Sequence, residues 1–393
     1  MKALSRKFLT AALFFLTLLA SSSSLALAQG GETLDQRLER AASLIRENRL
    51  AEAERQLAEL LKLAPEEAHA LNLLGAIRAQ QGRLDEALTL FQRATRADTQ
   101  FAGAHMNLAY LHLLRGAPGK SIEELREVLR LEPQNADAAV KLAHLLLSQN
   151  RLDECIGFVE QEQQANRVSP ALLLSLGEAY LKKGDVARAV EALKRGMELK
   201  PDDPSFYFLT GLAWIKKPDL PEAEDAFRRF VKLRPESAQG QIHLGYVLLK
   251  QKKFPEAREW LEKGLKSEGG ATPETYYYLG LIAQEEGQDA RAVEFLNQAV
   301  RRLPSYSQAH AALGASYLKL KNYALARQEL EQAVKLNPSE EKAHYNLALL
   351  YARLKENARA QEEMRIVEKL KSAGKAAAED EGSAPASSGS GPR

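Results

Sequence analysis

Hydrophobic positions in this chain repeat on two scales. Over short stretches, apolar residues recur at three- and four-residue spacing, which predicts amphipathic helices. Over longer stretches the whole pattern returns every 34 residues. Small residues stand at Gly75, Ala109, Ala143, Gly177, Gly211, Gly245, Gly280, Gly314 and Ala348, with a single interval of 35. A second small series runs Ala53, Ala87, Ser121, Cys155, Ala189, Ala223, Ala257, Ala292, Ala326 and Ala360. Four residues after each of these comes a large apolar one, from Leu57 and Phe91 to Leu330 and Met364. Pro65, Pro133, Pro201, Pro235, Pro304 and Pro338 punctuate the ends of repeats.

Each repeat therefore reads as two amphipathic helices. The small residue lets the two axes approach where they cross, and the large apolar residue fills the adjoining space. Two helices cannot bury their apolar faces alone, so neighbouring pairs must stack and share a core. Pro221 and Pro255 take equivalent places at the start of second helices, where a missing N–H costs nothing. Two repeats are irregular. The fourth lacks its closing proline ("EQEQQANRVSP"), and the seventh ends in Gly269-Gly270 with the one extra residue.

The pattern resembles the tetratricopeptide repeat. "FLTGLAW" at 208–214, "AALGASY" at 311–317 and "YNLALLY" at 345–351 carry its first half. "EAEDAFRRFVKLRP" at 222–235 and "LARQELEQAVKLNP" at 325–338 carry its second. The resemblance implies an all-α fold, a right-handed α-solenoid of about ten tandem helix-turn-helix units over residues 34–371. Arg37 and Arg40 take slots that are mostly apolar later on, as suits a first helix with no preceding neighbour.

The ends follow other rules. Lys2, Arg6 and Lys7 precede an apolar run from Phe8 to Ala20, and Ala26-Leu27-Ala28 supplies small residues, which predicts a Sec-type signal peptide cleaved after residue 28. Residues 29–33 then form a short linker. The apolar run is too short and too abruptly polar afterwards for a comfortable membrane span, so no span is expected after cleavage. No cysteine lies near the cleavage site, which excludes a lipoprotein. The chain is expected to be exported, periplasmic or secreted. Residues 372–393, small and rich in Ser, Gly and Pro, are expected to be a disordered tail. Removing the signal takes three of the 54 basic residues and leaves 51 against 52 acidic ones, a net −1. A near-neutral chain gives no electrostatic reason to expect nucleic acid.

Candidate chemistry dissolves in the repeat register. "RGAPGKS" at 115–121 ends like a phosphate-binding loop, yet the glycine required five residues before Gly119 is Leu114, and no strand precedes it. Gly116 instead fills a turn slot shared with Gly82, Gly184 and Gly287, and Ser121 is a packing residue. Cys155, the one cysteine, belongs to the same packing series. His105, His310 and His344 share one core-facing slot, as substitutes for an aromatic ring. His112 and His144 stand in adjacent repeats but lack a third metal ligand. There is no His-Glu-x-x-His helix and no Gly-x-Ser-x-Gly elbow. No enzyme activity, cofactor or metal is expected.

What remains is a surface. By resemblance, first helices line a concave groove through slots two, five, six, nine, twelve and thirteen. Slots five and nine hold Met106 and Tyr110, Val140 and His144, Phe208 and Leu212, Ile242 and Tyr246, Tyr277 and Leu281, and Tyr345 and Leu349. Such an apolar, aromatic face suits a helical or extended partner segment, and the same positions equally suit packing between neighbouring first helices. Slot thirteen reads Lys182, Lys216, Lys250, Glu285, Lys319 and Arg353, a basic rim able to guide an acidic peptide or an anionic polysaccharide, or simply to offset helix dipoles. The carboxylate clamp of chaperone-docking relatives is absent: Asn107 is preceded by Asn72 and Ala76 and followed by Asp137 and Lys141. The expectation is a non-catalytic scaffold of the bacterial cell envelope that binds partner proteins in the groove. The alternative is an accessory subunit of polysaccharide export or envelope assembly that contacts an anionic glycan.

Overall fold

A computed structural model describes residues 33–382. The signal segment 1–28 and linker residues 29–32 lie outside the described residues. Two compact units divide at Pro201/Asp202, and each is an all-α stack. In the first, the helix pairs of five repeats are α1 (Leu34–Arg46) and α2 (Leu50–Leu63), α3 (Ala68–Gln80) and α4 (Leu84–Ala97), α5 (Ala102–Leu114) and α6 (Pro118–Leu131), α7 (Ala136–Ser148) and α8 (Leu152–Gln164), and α9 (Pro170–Lys183) and α10 (Val186–Leu199). The second unit holds α11 (Pro204–Lys216) and α12 (Leu220–Leu233), α13 (Ala238–Lys250) and α14 (Phe254–Lys266), α15 (Pro273–Glu285) and α16 (Asp289–Arg302), α17 (Ser307–Lys319) and α18 (Tyr323–Leu336), and α19 (Glu341–Arg353) and α20 (Asn357–Gly382). Within each unit a first helix packs on its own second helix, which packs on the next first helix.

The pairing rests on the small residues. A Cβ placed on Gly75 would lie 2.6 Å from the Phe91 ring, one on Gly177 2.6 Å from Leu193, and one on Gly211 2.6 Å from Phe227. Gly245, Gly280 and Gly314 face Leu261, Leu296 and Leu330 in the same way. The large partner is buried in every case, so the two helices interlock as one cross-section repeated along the stack. Cys155 takes its place in the second series, fully buried, its Sγ–H donating to the Ala143 carbonyl at 3.6 Å. Burial pushes that thiol up to about 12, which makes it a poor nucleophile.

The turn inside nine of the ten pairs is equally regular, the sixth having Pro218 at φ 26° in the same place. Asn48, Gly82, Gly116, Asn150, Gly184, Lys252, Gly287, Lys321 and Lys355 all have positive φ, between 56° and 84°. Glycine or asparagine suits this left-handed position, whereas lysine is held there against steric cost. "RGAPGKS" thus holds a left-handed turn at Gly116, the first-turn proline of α6 at Pro118, an exposed Lys120 and a fully buried Ser121. In the fourth repeat, whose closing proline is missing, Asn166 takes φ 55°. The Arg167 N–H then returns to the Glu162 carbonyl at 2.8 Å, and its guanidinium pairs with the same residue's carboxylate. This left-handed cap ends α8 where proline ends its counterparts.

One boundary differs from expectation. The helix begun at Asn357 continues to Gly382, beyond the predicted end of the array at 371. The added stretch holds four alanines and two glutamates, strong helix formers that extend an existing helix without the cost of a new nucleus. Residues 383–393 lie outside the described residues.

Two substitutions test this account. Gly211→Val places a branched side chain against the immobile Phe227 ring and is expected to cost about 1–3 kcal/mol, read as a lower denaturation midpoint. Lys321→Gly relieves the left-handed turn and is expected to raise stability by about 0.5–1 kcal/mol.

Candidate functional site

The first helices of the second unit shape a cleft of about 470 Å³. Leu212 and Ile215 of α11 form one wall, Ile242, His243 and Tyr246 of α13 the floor, and Tyr278 and Glu274 of α15 the far side. Gly269 and Thr272 close one end. These two belong to the connection lengthened by one residue, so the single irregular interval of the sequence coincides with the cleft. A Cβ on Gly270 would overlap the Gly264 carbonyl, which fixes glycine there.

A line of aromatic rings leads away from the cleft. Tyr246 and Tyr278 have centroids 5.0 Å apart, Tyr278 and Tyr277 5.7 Å, and Tyr277 and Tyr306 5.0 Å. Burial raises all four phenols above their ordinary range, Tyr277 to about 12, so they stay neutral. His243 moves the other way. Burial lowers its pKa, and its Nδ1–H donates to the Gln239 carbonyl at 2.8 Å. The cleft is therefore apolar and aromatic, with Glu274 as its one charged side chain at neutral pH.

Of the residues expected to line a groove, Leu212, Ile242 and Tyr246 meet in this cleft. Tyr277 lies in the aromatic line beside it, and Leu281 is half-buried. Phe208 serves packing, with centroids 5.8 Å from Phe227, 5.1 Å from Phe230 and 5.1 Å from His243. Tyr345 and Leu349 are 45% and 40% exposed on α19. In the first unit Met106 is buried at 3% exposure and belongs to the core rather than to an open face. Tyr110 is half-buried, its hydroxyl donating to Asp137 at 3.4 Å while the Asp137-paired Lys141 lies over its ring. Beside them the Asn107 amide donates to Asn72 at 2.8 Å. Val140 is half-buried and His144 exposed. First-helix chemistry is thus polar in the first unit and aromatic in the second. Along the basic rim, Lys182 pairs with Glu178 at 2.9 Å and Lys319 with Asp289 at 3.4 Å. Lys250 covers the Tyr246 ring at 5.5 Å, while Lys216 and Arg353 are exposed.

Sequence reasoning missed Tyr278, Glu274 and Ile215, although they fall in slots six, two and twelve. It also misjudged the histidine slot. His310 Nδ1 lies 2.7 Å from Glu329 and its Nε2 3.0 Å from the Pro304 carbonyl; His344 meets Glu363 at 2.6 Å and the Pro338 carbonyl at 3.0 Å. His105 meets Glu124 at 2.7 Å. His310 and His344 are polar clasps between two helices and a turn, and His105 bridges two helices, so none is a substitute for an aromatic ring. The signal was present in sequence as a glutamate 19 residues after each histidine. In the seventh repeat Gln241 takes the slot, donating to the Pro235 carbonyl and accepting from Ser267.

Three tetratricopeptide repeat family models match the chain, the first at residues 38–101, 174–238, 219–271 and 244–307, the others at 112–161 and 307–340. The chain belongs to the tetratricopeptide repeat family. No curated protein matches it. Among solved structures, a chain of the APC/C hetero-tetramer Cut9–Hcn1 is similar to this tetratricopeptide protein at 15% identity, covering 85% of this chain and 80% of that one, with a TM-score of 0.51. Pseudomonas aeruginosa pilF is 17% identical over 51% of this chain and 91% of its own, with a TM-score of 0.46. YrrB, described as a TPR protein with an unusual peptide-binding site, is 19% identical over 47% and 95%, with a TM-score of 0.41. At these identities the likeness concerns the fold. Among the described residues no helix is long and apolar enough to cross a membrane, and no three metal-ligating side chains cluster.

The His310 clasp carries a pH dependence. Both His310 nitrogens face acceptor oxygens, a geometry best satisfied by the doubly protonated ring. Despite the opposing effect of burial, the Glu329 carboxylate and the Pro304 carbonyl raise its pKa. A raised histidine pKa stabilises fully below the unfolded value and loses that contribution as pH rises through the folded one. Thermal melts at pH 6 and 8 should therefore show a larger loss at pH 8 for the natural protein than for His310→Gln, whose amide can still donate to the Pro304 carbonyl.

Proposed function

We propose that this chain is a non-catalytic scaffold of the cell envelope that captures protein segments on the first-helix face of its second unit. Tetratricopeptide repeat proteins are generally protein-interaction scaffolds, and the fold is typically non-catalytic. The observation that carries the reading is the apolar, aromatic cleft between α11, α13 and α15. It has the size of a recognition pocket, and half-buried side chains line it in place of a filled core. Export to the envelope is supported by the charged, apolar and small-residue order of residues 1–28. Protein rather than polysaccharide is favoured because Lys182 and Lys319 already pair with the chain's own carboxylates, and because no cation lines the cleft, Lys250 lying over the Tyr246 ring at its edge.

The experiment is capture by cross-linking in the native envelope, followed by mass spectrometry. Leu212→Ala with Tyr246→Ala is expected to leave helicity unchanged and reduce partner recovery at least about tenfold, the scale of losing two central contacts. Recovery equal to that of the natural protein would refute the reading.

A further inference from the structure

We propose that the cleft takes a partner segment in which a large apolar side chain is followed by arginine or lysine, the apolar group filling the cleft and the cation seating between Glu274 and the Tyr278 ring. This rests on the reading above that the cleft captures protein segments, and it assigns the chemistry of what is captured.

Charge complementarity carries the argument. Glu274 lines the cleft, is exposed, and pairs with no cation among the described residues. Asp137 is paired with Lys141 and Glu178 with Lys182, so these first-helix carboxylates are already answered within the chain, and what sets Glu274 apart is its place beside an apolar cleft. Among the other titratable lining groups, burial keeps His243 and the Tyr246 and Tyr278 phenols neutral, and the nearest cation the rings hold, Lys250, lies over Tyr246. Burial raises the Tyr278, Tyr277 and Tyr306 phenols, and the neighbouring carboxylates Glu274 and Glu340 act in the same direction. An anionic segment would meet the like charge of Glu274 and the negative faces of the aromatic rings. A cation would find a carboxylate and the negative face of an aromatic ring together. The neighbouring ring already shows the preference, since Lys250 Nζ lies 5.5 Å from the Tyr246 centroid. No such cation covers Tyr278 among the described residues. The walls require the apolar partner: Leu212, Ile215 and Ile242 offer no hydrogen bonds, so a purely charged segment would leave them facing water.

The test uses the full chain and three fluorescein-labelled peptides: Ala-Ala-Leu-Arg-Ala-Ala, the same peptide with citrulline for arginine, and the same with glutamate. Citrulline keeps the shape of arginine and removes the charge. Fluorescence anisotropy is expected to rank arginine at least about fivefold tighter than citrulline, with glutamate weakest. Glu274→Gln should erase the arginine–citrulline difference while leaving citrulline binding unchanged, and Tyr278→Ala should weaken the arginine peptide in particular. Equal binding of arginine and citrulline, tighter binding of glutamate, or a charge preference that survives Glu274→Gln would each overturn the proposal. If no peptide binds while envelope capture still depends on Leu212 and Tyr246, this chemistry is wrong and the scaffold reading stands. If the peptides rank as expected while capture ignores those residues, the cleft chemistry stands and the scaffold reading fails.

Discussion

Everything in this protein depends on how closely the two helices of a repeat cross. At that point a glycine or alanine of the first helix meets a leucine, phenylalanine or other large side chain of the second, and the large residue is buried in every repeat but the last, where Met364 is exposed. A Cβ on the glycines would sit about 2.6 Å from its neighbour, well inside contact distance, so the spacing is set by the absence of atoms. Fixing that distance fixes the angle at which each pair offers its outer faces to the next pair. Alanine holds the same slot at Ala109, Ala143 and Ala348. The repeat length then follows from two helices of about four turns and two short connections.

The polar features adapt themselves to this frame. Left-handed turns reverse the chain inside each pair, and the closing prolines or the Asn166 cap end the second helices. The slot that follows each closing turn faces a carbonyl on one side and the second helix on the other. Histidine with glutamate, or glutamine with serine, satisfies both at once. Buried polar groups in this slot are therefore costly to change singly, because each removal strands a partner.

The two units put different chemistry on equivalent helices. In the first, Asn72, Asn107, Tyr110, Asp137 and Lys141 satisfy one another, leaving few polar groups for a ligand. In the second, Tyr246, Tyr277, Tyr278 and Tyr306 stack around a cleft whose one carboxylate has no partner among the described residues. The open aromatic surface of the second unit lies where a one-residue insertion separates α14 from α15.

The sequence by itself determined the helix pairs, the small-to-large crossings, the turn slots and the family, because each depends on a local periodicity that recurs ten times and so exposes its own exceptions. It also explained "RGAPGKS" and Cys155 as parts of the register. Only the tertiary structure decided which outward slots are open. Met106 and Phe208 share slot five with Ile242, yet one is buried in the core, one is stacked on phenylalanines, and one lines a cleft. That difference is set by the side chains of neighbouring repeats, which the 34-residue pattern does not record. The histidine clasps likewise needed the folded pair, since a glutamate 19 residues away comes within 3 Å of the ring only once two helices lie side by side.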